Sequence, residues 1–369
     1  MKRFGMPLVA AACVLALSTG ALAQLPSPSH GYNLGDTLEP PCGVGCWGPY
    51  PTKALFDRLK AEGYNTVRVP CAWKSNTDRS GNISPTFMAQ VQQVVDWCYA
   101  DGLYVIINDH RDGGWFETTS FRNYSSRTNT TLQSLWTQIA NHFASYDSHL
   151  LFAVANEPNA GSQLETNTLF QYYRNWVTTI RNTGGNNATR WLILQGPNTN
   201  IGLTSSYVNS SIWPNDPAKH LMIECHYYDP WQFCGATSGG MFYFWGAQYH
   251  TVGLASRNAT FMEEAWVDDR MSLMQTQFAN AGIPVLIGEF ESTPKPAEPD
   301  LTGQYITQNY NSTTYWDYYV TNSIINHGLY GTCWNIFNQT YNWTTGAIVD
   351  QNYANAFSGR LYVPPIQGL

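Results

Sequence analysis

Leu150-Leu151-Phe152-Ala153-Val154-Ala155-Asn156-Glu157-Pro158 sets six apolar residues in front of an amide, a carboxylate and a proline. A strand buried on both faces reads as a continuous apolar run rather than an alternation. Pro158 has no N–H to give to a ladder, so the strand ends there. It therefore carries Asn156 and Glu157 to its C-terminal end. Ile283-Pro284-Val285-Leu286-Ile287-Gly288-Glu289-Phe290 repeats the arrangement with a second carboxylate. Two carboxylates at the C-terminal ends of two parallel strands predict acid–base or nucleophilic chemistry in the mouth of a barrel.

Outward from these two stretches the chain alternates strand and helix. Strands are expected at 31–35, 66–70, 104–107, 191–195, 221–226 and 329–334. Helices are expected near 52–62, from Ser84 with Pro85 at its first position, around Leu132 to Phe143, around Leu169 to Ile180, and over 268–281 and 314–326. Their apolar residues recur at helical spacing, and Ser84, Gly63 and Gly184-Gly185 supply start and stop signals. Eight strands with intervening helices predict a single-domain α/β fold, a (β/α)8 TIM barrel. The exception is an aromatic insertion over about 229–266, which follows a strand and lacks helical period.

Composition narrows the function. The formal charge is -7 and charged residues make up 12% of the chain, about half the usual share, so no basic patch for nucleic acid is expected. Aromatics reach 14%, with 14 tryptophans, which suits flat, neutral, polyhydroxylated ligands as well as a large core. Trp47, Trp115, Trp231, Trp245 and Trp334 fall in loops or strand ends on the expected active face; two or three of them are expected to be packing residues. Lys2 and Arg3, the apolar run Leu8 to Leu17 and Ala21-Leu22-Ala23 read as a secretory signal peptide over 1–23. The run is too short to span a bilayer. A secreted, extracellular protein follows, with 24–369 as its catalytic domain and no membrane partner.

In that compartment Cys42, Cys46, Cys71, Cys98, Cys225, Cys234 and Cys333 are an odd set, so at least one is free or pairs between chains. Cys42/Cys46 and Cys225/Cys234 are candidate local bridges. Sequons occur at Asn82, Asn123, Asn129, Asn187, Asn209, Asn258, Asn311, Asn338 and Asn342; in a glycosylating host many of them are expected on surface loops, and in a bacterial host they are only Asn- and Thr-rich loop composition. No His-x-His strand end or zinc-like spacing is present; metal and cofactor are expected to be none.

The residues gathered at the C-terminal strand ends are Arg68, His110, Asn156, Glu157, His226 with Tyr228, Glu289 and Trp334. With Gly-Tyr-Asn-Leu-Gly-Asp-Thr-Leu-Glu from Gly31, Val67-Arg68-Val69-Pro70, Asn156-Glu157-Pro158, His226-Tyr227-Tyr228 and Gly288-Glu289-Phe290 in that order, the chain resembles family 5 glycoside hydrolases, retaining β-glycanases of the cellulase type. The resemblance implies Glu157 as acid/base and Glu289 as nucleophile. It implies that Asn156 holds the sugar 2-hydroxyl, that Arg68 and Tyr228 position the nucleophile, that His226 supports the acid/base, and that His110 and Trp334 line the subsite at the cleaved bond. Many relatives carry His-His-Asp or His-His-Glu where this chain has His110-Arg111-Asp112. The expected function is a monomeric, secreted endo-β-1,4-glucanase cutting internal bonds of plant cell-wall β-glucans with retention. Alternatives are mixed-linkage glucanase, xyloglucanase, mannanase or exo-acting β-glucanase activity, a metal-dependent barrel hydrolase, and, outside enzymes, a silent carbohydrate-binding barrel. Arg68 and Tyr228 are expected to keep Glu289 charged, and that charge to raise the pKa of Glu157.

Overall fold

A computed structural model describes residues 25–112, 115–252 and 254–360; the signal-peptide reading lies outside them. Eight parallel strands close a barrel in sequence order: β1 His30–Asn33, β2 Thr66–Cys71, β3 Tyr104–Asp109, β4 Leu150–Ala153, β5 Leu192–Asn200, β6 Leu221–Tyr227, β7 Val285–Phe290 and β8 Tyr330–Cys333. The expected barrel is observed. Around it lie α1 Lys53–Ala61, α2 Pro85–Ala100, α3 Ser126–His142, α4 Gln163–Asn182, α5 Ile201–Tyr207, α6 Glu264–Gln277, α7 Gln304–Asn326 and α8 Gln351–Phe357.

Local chemistry explains the helix starts. The Ser84 hydroxyl accepts from the Phe87 N–H ahead of Pro85, and the Ser125 and Ser162 hydroxyls accept from the N–H groups of Thr128 and Glu165. Met88, Val91, Val95 and Cys98 face inward from α2 as their spacing requires. Two starts differ from expectation. The α6 helix begins at Glu264, and α7 begins at Gln304 because its first turns bury polar side chains: Asn309 donates to the Tyr243 carbonyl at 2.6 Å and accepts from the Lys295 N–H at 2.8 Å. The α5 helix, capped by Asn200, was hidden by its polar Gly-Leu-Thr-Ser-Ser composition.

The barrel interior is layered by the two-residue period of its strands. Ile106, Leu151, Ala153, Ile193, Met222 and Leu286 form an apolar cluster of their own. Two residues further along the strands the inward positions turn polar: Asn108, Gln195 and Glu224, joined by Asn33 and Arg68, all fully buried. Outward residues of the same strands, such as Val67, Val69, Val105 and Ile107, pack against the helices in the main core.

The insertion is folded. It contains the short helix Trp231–Cys234 and a parallel pair of two-residue strands, Phe244–Trp245 and Asn258–Ala259. Met241, Tyr243, Phe244, Tyr249, Val252 and Leu301 give it a satellite core. Cys42 and Cys46 are bridged, but the Cys225–Cys234 pairing is not formed: both are free, buried thiols. Cys225 points outward from β6, its thiol 3.4 Å from the Thr204 hydroxyl of α5. Cys234 sits within the insertion, where its carbonyl accepts from the Thr293 N–H at 3.2 Å. Two of the nine sequons lie off the surface. Asn187 and Asn258 are buried, and their side-chain amides donate to the carbonyls of Ala140 at 2.7 Å and Tyr249 at 3.1 Å, so the folded chain offers neither nitrogen to a glycan.

Candidate active site

The strand ends bring the expected residues together. Asn33 pairs with Arg68 across β1–β2, and a register shift after Cys225 sets His226 beside Glu289 across β6–β7. Arg68 is the hub. Its Nη1 donates to Glu289 Oε1 at 2.8 Å and Asn33 Oδ1 at 2.9 Å, and its Nη2 to Asn156 Oδ1 at 3.0 Å. Nη2 also lies 3.0 Å from Glu224 Oε1. The Tyr228 hydroxyl donates to Glu289 Oε2 at 3.3 Å. His226 Nδ1 stands 2.8 Å from Glu157 Oε1 and 3.6 Å from Glu289 Oε2. His110 Nδ1 is 3.9 Å from Glu289 Oε1, and its ring stacks on Trp334 with centroids 5.7 Å apart and planes at 22°. Glu157 takes the left-handed backbone conformation, φ 33°, a costly geometry for a non-glycine residue that concentrates at functional sites.

Glu157, His226 and Glu289 each place one atom within 4.8 Å of the other two. Such a set could ligate a cation by geometry. The Arg68 guanidinium against Glu289, however, already supplies the positive charge a metal would bring.

Three partners escape a strand-end reading. Glu224 lies in β6 two residues before His226, on the same inward face; its Oε1 is 3.3 Å from His226 Nε2, and its Oε2 accepts from Gln195 Nε2 at 2.6 Å. Gly288 makes room for it, since a Cβ there would stand 2.0 Å from the Glu224 carboxylate. Gln195 also accepts from the Ala155 N–H at 3.0 Å, bracing the chain just before Asn156. Glu117 accepts from Asn156 Nδ2 at 2.8 Å and from the Arg111 N–H at 3.1 Å, fixing which face of the Asn156 amide donates. A charged residue at an inward strand position was the available signal for Glu224; nothing in the sequence marked Glu117.

The tryptophans divide. Trp231 is 59% exposed and Trp47 46%, with the Arg111 guanidinium 5.2 Å over the Trp47 ring. The replacement of a second histidine by Arg111 thus gives this loop a cation stacked on an aromatic face. Trp115 is half-buried under Lys74. Trp245, expected on the active face, is 1% exposed and donates to the Met262 carbonyl; it packs the insertion onto the main core. A cleft of about 450 Å³ runs past Glu157, His226, Tyr228, Trp231 and Trp266.

The electrostatics reverse one expectation. Burial works against the charge on Glu157, but the hydrogen bond and charge of His226 outweigh it and hold this carboxyl below its ordinary range. Burial pushes Glu289 up, with His226 and Arg68 pulling the other way. Burial alone would lower His226, yet Glu289, Glu157 and Glu224 bring it up to about 10. These directions favour the shared proton on His226, facing an ionised Glu157, in the substrate-free site. Burial also raises Glu39 to about 7 and Glu291 to about 8. Glu289, His226, Glu39 and Glu291 each add stability that is complete below their unfolded pKa values, about 4.3 for Glu and 6.5 for His, and is lost as pH rises through the folded values. Glu157 and Glu224 act oppositely: their lowered carboxyls add stability above the unfolded value that disappears as pH falls through the folded one. Burial lowers His30 to about 4 and Lys295 to about 8, and these work the other way as pH rises, so single groups are read by difference: relative to Glu291→Gln, wild type should lose melting temperature as pH rises from about 5 through about 8. Parallel melting curves for the two proteins over that range would contradict the raised Glu291.

Residues 29–322 match the cellulase family, glycosyl hydrolase family 5. Endoglucanase A of Paenibacillus barcinonensis is 33% identical over 302 residues, 74% of each chain. A xyloglucan-specific endo-β-1,4-glucanase of Bacteroides ovatus is 31% identical over 326 residues, 82% of this chain and 62% of the relative. Among solved structures, a xyloglucan-specific β-1,4-glucanase from a ruminal metagenomic library, in complex with XXLG, superposes with a TM-score of 0.81 at 34% identity, covering 92% of this chain and 95% of the other. With its closed parallel barrel and its ordered strand-end residues, the chain belongs to glycosyl hydrolase family 5 and is a glycoside hydrolase.

Proposed function

We propose that the protein is an endo-β-1,4-glucanase that works by double displacement with retention, Glu289 as nucleophile and Glu157 as acid/base. The observation that carries this is the separation of the two carboxylates, with one oxygen of each within 4.8 Å. Retaining sites hold the carboxyls about 5–5.5 Å apart, whereas inverting sites leave roughly 6.5–9.5 Å for a water. Arg68 and Tyr228 hold one oxygen each of Glu289 and aim the carboxylate. Burial leaves it a more basic, hence stronger, nucleophile. An acetal oxygen departs only if protonated as its bond breaks. The proton it needs is the one shared across 2.8 Å between His226 and Glu157; once moved onto Glu157 it faces the substrate, since the Glu157 side chain is 45% exposed while that of His226 is 4%. Glu157 then deprotonates the water that releases the sugar. Asn156, oriented by Arg68 and Glu117, is set to bind the 2-hydroxyl, and Trp334 on His110 floors the subsite. Secretion, monomeric state and freedom from metal complete the reading.

A substrate panel tests it: carboxymethylcellulose, barley β-glucan, xyloglucan, xylan and glucomannan, with product lengths. Mixed oligosaccharides from the first two support an endo-β-1,4-glucanase, and monosaccharide alone would overturn endo action. Xyloglucan preference is the second reading, favoured by the two xyloglucan-specific relatives. Trp231 is the exposed platform of the cleft, so Trp231→Ala should raise KM on oligosaccharides by roughly 3- to 10-fold with kcat little changed. An unchanged KM would make Trp231 a packing residue.

A further inference from the structure

We propose that Glu224 is a positioning residue of the catalytic machinery, holding His226 as an imidazolium turned toward Glu157 so that the acid's proton stays in place. The inference builds on the proposed double displacement but concerns a group that never meets substrate. Glu224 is fully buried at mid-strand beneath the site. Its Oε1 faces His226 Nε2 at 3.3 Å while Glu157 Oε1 faces Nδ1 at 2.8 Å. A neutral imidazole has one N–H and one lone pair. Between two carboxylates it would turn a lone pair toward one of them; only the doubly protonated ring satisfies both.

The charge count points the same way. The groups around His226 are Arg68 from β2, His110 after β3, Glu157 after β4, Glu224 on its own strand, Tyr228 beyond it, and Glu289 from β7. Burial and the neighbouring Arg68 keep His110 neutral. With the shared proton on His226, Arg68 and the His226 cation stand among three carboxylates, Glu157, Glu224 and Glu289, whose net negative charge favours keeping that proton. Without the Glu224 charge one of those three is gone, and the proton is lost at a lower pH. The buried carboxylate is locked by Gln195 and admitted by Gly288, so it is held as a fixed charge.

The test uses ¹⁵N-histidine-labelled full-length enzyme without substrate, with the His226 ring signal identified by its loss in His226→Asn. The expected result is that both ring nitrogens of wild-type His226 remain protonated at pH 8, consistent with its elevation to about 10. In Glu224→Gln, which keeps the size and can still meet Arg68, the titration should move down by about one pH unit or more. The basic limb of kcat/KM should follow it, with KM unchanged. Glu224→Asp, which keeps the charge, should restore the wild-type limb. A neutral His226 in the wild type at pH 8, or a titration and pH profile in Glu224→Gln that overlay the wild type, would overturn the proposal. The nuclear magnetic resonance readout needs no turnover. Its failure is therefore separate from failure of the double-displacement reading, which would show as activity without Glu289.

Discussion

Glu289→Gln is expected to abolish polysaccharide hydrolysis, lowering kcat by at least about a thousandfold, while the protein remains folded. The isosteric amide keeps a carbonyl oxygen for Arg68 and can turn its NH2 to donate to the Tyr228 hydroxyl oxygen; in the wild type these two groups hold the two Glu289 oxygens at 2.8 and 3.3 Å. What is lost is the electron pair that attacks the anomeric carbon. Glu157→Ala should behave differently. Substrates with good leaving groups still form the glycosyl–enzyme intermediate, because they need no protonation. Azide then fills the space of the lost carboxylate and releases a β-glycosyl azide. An α-azide would mean inversion and would overturn the roles given to the two residues. The wild-type rate should follow a bell against pH whose two limbs belong to the coupled Glu157–His226–Glu289 set rather than to any single group. Substantial polysaccharide turnover by Glu289→Gln, measured as reducing ends, would remove the two-carboxylate mechanism.

Replacing Arg68 should be the most damaging single change to the fold as well as to activity. Its guanidinium meets Asn33, Asn156, Glu224 and Glu289 at once, and none of it is exposed. Arg68→Met leaves buried carboxylates facing one another without their shared counter-ion. Breaking a buried pair from one side costs about 3–5 kcal/mol, and here two pairs break together. Arg68→Lys is expected to rescue little, because a single ammonium cannot reproduce the planar fork that reaches four acceptors. Chemical denaturation of both variants beside wild type checks this. A loss under about 1 kcal/mol for Arg68→Met would show that the network relaxes around the gap, contrary to its burial.

How legible this was depended on where each residue lies along its strand. The apolar runs before Asn156 and Glu289 marked strands buried on both faces, and polar residues stranded at their ends had only one place to go in a parallel barrel. Those strand-end residues therefore converge as expected. Glu224 and Gln195 were harder to see because they sit inside their runs, where a charge looks like noise in a strand rather than the floor of a site. Trp245 misled because the insertion has no period to separate its outside from its inside; only the fold shows that its ring packs into the main core. Nearness in sequence misled for Cys225 and Cys234. The β6 pleat turns Cys225 toward α5, away from the insertion that holds Cys234. The direction of the Glu157 shift depended on His226 being caught between two carboxylates, and half of that pair, Glu224, had gone unrecognised.

The cysteine arrangement bears on where the enzyme can be made. Cys71, Cys98, Cys225, Cys234 and Cys333 are buried and unpaired, and the bridge between Cys42 and Cys46 spans a sequence separation of 4. Closing so short a loop removes little freedom from the unfolded chain, worth about 2 kcal/mol at most. None of the eight barrel strands is tied to another by a covalent link among the described residues. A reducing cytoplasm should therefore yield a folded barrel from residues 24–369, sparing the producer an oxidising compartment or a disulfide isomerase. The hazard runs the other way: five buried thiols, exposed together whenever the chain unfolds in air, invite scrambled cross-links, so a reductant should improve recovery after heating.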